Sequence, residues 1–420
     1  MRTLLTISKI LAATFNTKLT PTLQLSSMAK SKTPNSKQKT RKPKTMDTNE
    51  SPQTLLAAAT SLLHEGQPAP ALIKARKALA KLQPNPLNPT LAALPALNLL
   101  GEISIELGDA QEARDCFEVA AALDPDGLIP ESSGGGAEKF MWLAQLSEEG
   151  GQESVSWYEK GAEVLRRDIA ALDANSKNAA VQQTIKEKVA RLAAVLCSTA
   201  EVYMTDLSWE EDAEQRCEAL VSEALLVAPD DPSTLQTLAN VRLSQDKQEE
   251  ARQYLTQSLN LWKDLEPEDP GVPDFPTRVS LSRLLMEAGM EEEALEVLER
   301  LVSEDDSSVE AWYLGGWCLK LLAEKGRAEL NGITNGMDVD GSDDTHGDRR
   351  LLKLCRDYLT KSLALYQLHE YEDERLKEHV EELMRELNGI LGEPVEDDED
   401  DEDEWEGIED SDEDEQMEGT

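Results

Sequence analysis

The chain has 420 residues, 30% of them charged and only 4% aromatic, with five cysteines and a formal net charge of −41. So negative a chain argues against nucleic acid as a direct ligand, because phosphates are repelled. The scattered Cys116, Cys197, Cys217, Cys318 and Cys355, with no Cys-x-x-Cys pair, argue against a disulfide or zinc framework and for a reducing compartment, cytosol or nucleus.

Charge falls in three zones. Residues 1–46 hold ten Lys or Arg and no acid, residues 393–420 hold eighteen Asp or Glu and no base, and −33 remains on residues 47–392. In the first zone, Met1 to Leu25 carries Arg2, Lys9 and Lys18 and a mild amphipathic pattern through Leu4, Leu5, Ile7, Ile10, Leu11 and Phe15, as in a mitochondrial presequence. The competing reading starts the working protein at Met28, from which a Lys-rich arm runs to Lys44. Its Lys37, Lys39, Arg41, Lys42 and Lys44 also suit a nuclear import signal. Residues 1–50 are expected to be disordered. No later apolar run approaches the ~20 residues needed to cross a bilayer, so a soluble chain is expected.

From Ser51 to Tyr366, small and apolar residues recur about every 34 residues. Ser51-Pro52 suits an N-cap and first turn. The first unit shows Gly66, Ala71, Ala75 and Ala78. The second is clearest, with Leu97, Leu100, Gly101, Gly108, Ala113, Phe117, Ala120 and Pro125. Phe140, Leu143, Ala144 and Tyr158 mark the third; Thr199, Ala200, Tyr203, Cys217, Val221, Ala224 and Pro229 the fourth. Leu235, Leu238, Ala239, Ala251, Leu255 and Ser258 mark the fifth, and Leu281, Ser282, Gly289, Ala294 and Leu298 the sixth. The seventh opens with Trp312, Gly315 and Gly316 and resumes with Cys355, Leu359 and Ser362. Two short antiparallel helices pack in this way only if small residues sit where their backbones cross. This is tetratricopeptide spacing, and it predicts an all-α superhelical solenoid of about seven repeats.

Prolines 84, 86, 89 and 95 predict a stiff joint after the first unit, Gly134 to Gly136 a flexible one before the third, and Pro267, Pro270, Pro273 and Pro276 a break before the sixth. The Gly, Asn and Asp tract at 325–348 predicts an exposed loop splitting the last repeat. A closing helix over 370–391 buries Leu376, Val380, Leu383, Met384 and Leu387 and caps the solenoid. From Glu393 an acidic tail follows, too self-repelling to collapse. The expected organisation is a disordered basic arm (1–50), a solenoid (51–391) and a disordered acidic tail (392–420).

In a tetratricopeptide superhelix the first helix of each unit lines the concave surface, and five register positions on it face a ligand. Here they hold Glu102 and Glu106; Glu138, Met141, Gln145, Glu148 and Glu149; Glu201 and Met204; Gln236 and Asn240; Met286 and Glu287; Glu310, Tyr313 and Trp317. Carboxylates accept charge-assisted bonds from Lys or Arg, while Met and aromatic side chains adapt to the stems of those residues. An acidic helix also turns some Glu inward by chance, and Tyr313 and Trp317 fit core positions as well as Trp312 does. Trp405 and Ile408 in the tail suit either client shielding or plain solvation. His64, His346, His369 and His379 fall in different units or the loop, with no nucleophile or acid at a recognisable spacing, and no phosphate-binding loop occurs. The chain therefore reads as a monomeric binding protein for a basic, extended polypeptide, with no catalytic residues, metal, cofactor or membrane partner.

Several stretches together resemble a known family: Leu97-Asn98-Leu99-Leu100-Gly101-Glu102, the run from Ser198 to Ser208, the run from Ala311 to Leu319, the basic arm and the acidic tail. Over residues 51–415 the chain resembles the fungal assembly chaperones of large-subunit ribosomal protein L-four. The resemblance implies a dedicated chaperone that captures the newly made ribosomal protein and shields its basic internal loop on the inner surface of the superhelix. It also implies escort into the nucleus for placement in the pre-60S particle, in company with import factors recruited through the client. Residues 1–27 fall outside the family pattern. A histone chaperone with interrupted repeats would share the acidic groove and tail and stays open as the alternative. A heat-shock co-chaperone clamp would need Lys and Asn where this chain has Asn98 with Glu102 and Gln236 with Asn240.

Overall fold

A computed structural model describes residues 50–85, 88–173, 178–333 and 344–392, with backbone alone at 173, 328–333 and 344–348. The presequence, start-site, import-signal and acidic-tail expectations lie outside the described residues. All regular structure among the described residues is helical, and the chain divides into two compact units, Met1–Met290 and Glu291–Thr420.

The first unit holds five predicted helix pairs: α1 (Pro52–His64) with α2 (Pro68–Leu82), α3 (Leu94–Glu106) with α4 (Ala110–Leu123), α5 (Glu138–Gln145) with α6 (Gly151–Asp173), α7 (Ala179–Met204) with α8 (Ala213–Val227), and α9 (Pro232–Ser244) with α10 (Gln248–Asn260). It ends with α11 (Phe275–Glu287). The second unit contains α12 (Glu291–Glu304), the pair α13 (Val309–Ile333) and α14 (Asp344–Leu368), and α15 (Glu374–Leu391).

Several helices start on the same device. Ser51, Asp109, Asp231, Asp274 and Asp373 each accept a bond from a backbone N–H in the first turn, at 2.7 to 3.1 Å, and Pro52, Pro232 and Pro276 fill first-turn positions that need no donor. Each cap contributes ~1 kcal/mol. Inside a pair, small residues give way to large ones. A Cβ on Gly101 would lie 2.4 Å from Cζ of Phe117, so the Phe117 ring of α4 rests on the bare backbone of α3. The same ring stacks on Trp142 of α5, centroids 6.1 Å apart, and so ties the second pair to the third.

Between those pairs lies a buried ion pair. Lys139 Nζ donates to Asp124 Oδ2 at 2.9 Å and to the Gly136 carbonyl at 2.8 Å, while Asp124 Oδ1 accepts from the N–H groups of Leu128 (2.8 Å) and Ile129 (3.2 Å). Both side chains are almost wholly buried. The glycine run beside them is not the flexible joint its composition suggested. Asn98 donates to the Gly134 carbonyl at 2.8 Å, and a Cβ on Gly135 would meet the Ile129 carbonyl oxygen at 1.8 Å, so glycine serves here for close packing.

In the second unit the closing helix buries Leu376, Val380, Leu383 and Leu387 as expected, with Met384 half-buried at the edge. The expected loop at 325–348 is shorter: α13 continues to Ile333 and α14 starts at Asp344, leaving 334–343 outside the described residues. Ala328-Glu329-Leu330 still favours helix, and the glycines and asparagines take over only after it.

Asp124 holds three donors at once, so Asp124→Ala should lower the unfolding free energy by ~3–5 kcal/mol, the cost of leaving a buried charge unpaired. Lys139→Met should cost less, since Asp124 keeps its two backbone donors. Urea denaturation of both variants checks the order.

Candidate protein-binding surface

Within the first unit the first helices α3, α5, α7, α9 and α11 carry the register positions. Gly101 is pinned against Phe117, and the next residue, Glu102, is turned ~100° about the helix axis and half-buried. Desolvation, reinforced by the nearby Glu138 carboxylate at the start of α5, pushes Glu102 up to about 7. In the last turn of α7, Ala200 is wholly buried and its neighbour Glu201 reaches solvent, yet desolvation alone lifts Glu201 to about 7 as well. Glu287 at the end of α11 is half-buried and raised by desolvation too. Between α5 and α7, the Tyr158 hydroxyl bonds Gln145 and Ser198, and burial pushes the phenol up to about 12.

Ion pairs link the second helices of this unit to one another. Arg76 of α2 pairs with Glu112 of α4 at 2.6 Å, Arg114 of α4 with Glu153 of α6 at 2.9 Å, and Arg166 of α6 with Glu223 of α8 at 2.7 Å. A ladder of ion pairs thus runs along the second helices. Among the described residues, none of Glu102, Glu106, Glu138, Glu201 and Glu287 joins an ion pair. The sequence reading placed carboxylates at these register positions but missed the ion pairs between second helices, whose signal was the recurrence of Arg76, Arg114 and Arg166 on successive second helices. The wall is not uniformly acidic, since Arg283 stands in α11 where Glu102 stands in α3.

Other predicted positions fare unevenly. Glu106 and Glu138 are exposed, Met141, Met204 and Asn240 half-buried, and the two methionines pack on the apolar core. Glu148 and Glu149 are not on a first helix. Helix α5 stops at Gln145, because Gly150 and Gly151 take left-handed φ values of 60° and 50° and Ser147 Oγ caps the Gly150 N–H at 3.2 Å, so both acids project from the turn. Gln236 is buried, its amide donating to Ser258 Oγ of α10 at 3.4 Å, and Met286 is buried as well. In the second unit Glu310 is half-buried in the first turn of α13. Tyr313 and Trp317 are buried beneath α15: the Tyr313 hydroxyl meets His379 Nδ1 at 2.8 Å, and the Trp317 and His379 rings lie 4.9 Å apart. In the last repeat those positions face the capping helix and not a ligand.

The remaining titratable groups offer little chemistry. Burial pushes Cys116, Cys197, Cys318 and Cys355 up to about 12 and Cys217 to about 11, far from a thiolate nucleophile. Among the described residues no group of His, Cys, Asp and Glu is placed to hold a metal ion, and no helix is long and apolar enough to cross a membrane.

With Glu102 and Glu201 at about 7 in the folded chain and near 4.5 as unperturbed carboxyls, the folded state binds more protons. Their stabilising effect is therefore full below ~4.5 and lost as pH rises through ~7. The Tm of the client-free protein should rise as pH falls from about 8 to about 6, and Glu102→Gln with Glu201→Gln should flatten that slope in a thermal melt followed by circular dichroism.

Comparisons with known proteins follow the same pattern. Residues 94–126 match the family model Tetratricopeptide repeat. Over 378 residues the chain is 50% identical to a protein of Emericella nidulans named "Probable assembly chaperone of rpl4", a match covering 88% of this chain and 91% of that one. A protein of Schizosaccharomyces pombe with the same name is 34% identical over 319 residues, covering 76% and 87%. Among solved structures, "Assembly Chaperone of RpL4 (Acl4) (Residues 1-338)" is 54% identical with a TM-score of 0.62, over 67% of this chain and 99% of that one.

Proposed function

This chain belongs to the family of rpl4 assembly chaperones, and we propose that it binds newly made large-subunit ribosomal protein L-four along the carboxylate wall of its first helices. The observation that carries this reading is that Glu102, Glu201 and Glu287 of the first helices join no ion pair among the described residues, with Glu102 and Glu287 half-buried, while Arg76, Arg114 and Arg166 of the second helices are already paired. A basic loop laid against that wall supplies the missing cations, and the wall in turn shields the loop from RNA and from other polyanions. Half-buried Met141 and Met204 beside the acids give apolar stems a surface to rest on.

The function is binding, with no chemical step for the chain to perform. It acts as a monomer in cytoplasm and nucleus, holding the client from synthesis to the pre-60S particle, with import factors engaged through the client. Each exposed charge pair contributes only ~0.2–1 kcal/mol, so affinity is spread over many contacts.

Reversal of Glu102, Glu201 and Glu287 to Lys turns three attractions into repulsions. The triple variant should bind ribosomal protein L-four at least ~10-fold more weakly at low salt with an unchanged helical spectrum, and the wild-type complex should weaken as the screening length shortens to ~3 Å near 1 M. Unchanged affinity would remove these residues from the site. Histones tested alongside should bind less tightly; equal or tighter binding would favour a histone chaperone.

Client cations draw protons off Glu102 and Glu201, whose free-state values lie at about 7, so binding releases protons and affinity should rise between pH ~6 and ~8. Calorimetry in buffers of differing ionisation enthalpy counts the protons released.

A further inference from the structure

We propose that Trp209 and the carboxylates of two adjoining helix connections form a docking site for an arginine-bearing segment of a partner polypeptide, a site that does not depend on the first-helix carboxylates. It is built from residues 146–150, between α5 and α6, and residues 205–212, between α7 and α8. The two connections touch: Asp206 Oδ2 accepts from the Gly151 N–H at 3.1 Å, and a Cβ on Gly151 would lie 3.3 Å from Leu207 Cδ2. Leu207 is buried and anchors the second connection. Its N–H donates to the Val202 carbonyl at 3.0 Å, its carbonyl accepts from the Glu210 N–H at 3.0 Å, and Ser208 Oγ donates to the Thr205 carbonyl at 2.9 Å. A turn fixed in this way presents Trp209 outward, 74% exposed.

That indole is the exception among the described tryptophans. Trp142 stacks on Phe117 and Trp157 on Phe140, Trp262 is buried, Trp312 packs on Tyr358 and donates to the Asp306 carbonyl, and Trp317 lies against His379. Among the described residues the Trp209 indole has no ring contact, cation contact or hydrogen bond. One connection adds exposed Glu148 and Glu149 and the other exposed Glu210 and Glu211, none of them in an ion pair among the described residues. Neither connection contains a Lys or Arg. The bases at their borders are engaged: Arg114 donates to the Leu146 carbonyl and pairs with Glu118 and Glu153, and Arg216 pairs with Asp212.

A pre-positioned indole with unpaired carboxylates beside it selects a planar cation. A guanidinium stacks on the ring face and donates in parallel to a carboxylate, whereas an ammonium offers only a point charge. Phosphate-bearing partners are repelled by the same acids. Because the turn is already ordered, little conformational freedom is lost on binding.

The test uses the full chain with 5-fluorotryptophan in place of its seven tryptophans, where the fluorine resonance absent from Trp209→Phe belongs to Trp209. A short Arg/Ala peptide at low salt should move that resonance saturably and further than any other, and a Lys/Ala peptide of equal charge should bind there several-fold more weakly. Combining Glu148→Gln, Glu149→Gln, Glu210→Gln and Glu211→Gln should weaken the Arg peptide at that resonance ~10-fold. A photoreactive Arg peptide should cross-link to the two connections, ~5-fold less in Trp209→Ala. A Trp209 resonance that stays still while the peptide saturates other sites, a Lys peptide that binds there as tightly as the Arg peptide, or cross-linking unchanged in Trp209→Ala overturns the proposal. The client assignment is judged separately, because Glu102, Glu201 and Glu287 take no part in this site.

Discussion

Everything in this architecture hangs on how closely two helix backbones approach within a pair. Gly101 lets the Phe117 ring rest on bare backbone, and at the other end of the chain Gly315 and Gly316 do the same for Tyr358 and Leu359, where added Cβ atoms would come within 2.6 and 2.7 Å. A large residue at the crossing would force the helices apart and open voids on both sides, at ~1–3 kcal/mol for each overpacked site. The crossing also fixes rotation about the helix axis. With Gly101 or Ala200 held inward, the next residue is turned by ~100°, so Glu102 and Glu201 are aimed by the packing of their small neighbours and not by any bond of their own. A carboxylate wall is thus a by-product of the packing rule, provided an acid follows the small residue.

The second helices are also tied to one another by charge. Ion pairs linking second helix to second helix hold neighbouring pairs together and consume the arginines there. On the first helices Glu102 and Glu287 are half-buried with no ion-pair partner among the described residues, which disfavours their charged forms in the free protein. A purely solubilising surface would place its acids where water stabilises them best, on convex ridges. Here Glu102 and Glu287 are half-buried and raised by desolvation, a cost that the proposed cationic client would offset by restoring the ionised form.

Much of this was legible in the sequence because helix pairs are local objects. Ser51-Pro52, the Gly101 and Phe117 exchange and the apolar stripe of the closing helix each follow from spacing alone. Transferring register positions from one repeat to the next was less dependable, because it assumes that every first helix has the same length and the same neighbour. Helix α5 has eight residues, so Glu148 and Glu149 fall beyond it. Helix α13 has a capping helix for a neighbour, so Tyr313 and Trp317 are buried by it. Composition also misread Gly134 to Gly136, since glycine signals either freedom or close packing and only the surroundings distinguish the two.

The buried Asp124 and Lys139 pair joins these themes. It spans the connection between the second and third helix pairs and holds the first turn of α5. Glu138 precedes Lys139, so the residue that anchors the turn inward also directs its neighbour outward, close enough to Glu102 for its carboxylate to add to the desolvation that raises Glu102. A hydrophobic residue at 139 could fill the same volume, but it would not be tied to one oxygen of Asp124 and one carbonyl of the glycine run. What the ion pair adds is direction. Direction is what a surface needs if its charges are to meet those of an extended partner in register, and it accounts for a fully buried lysine in a chain where bases are scarce.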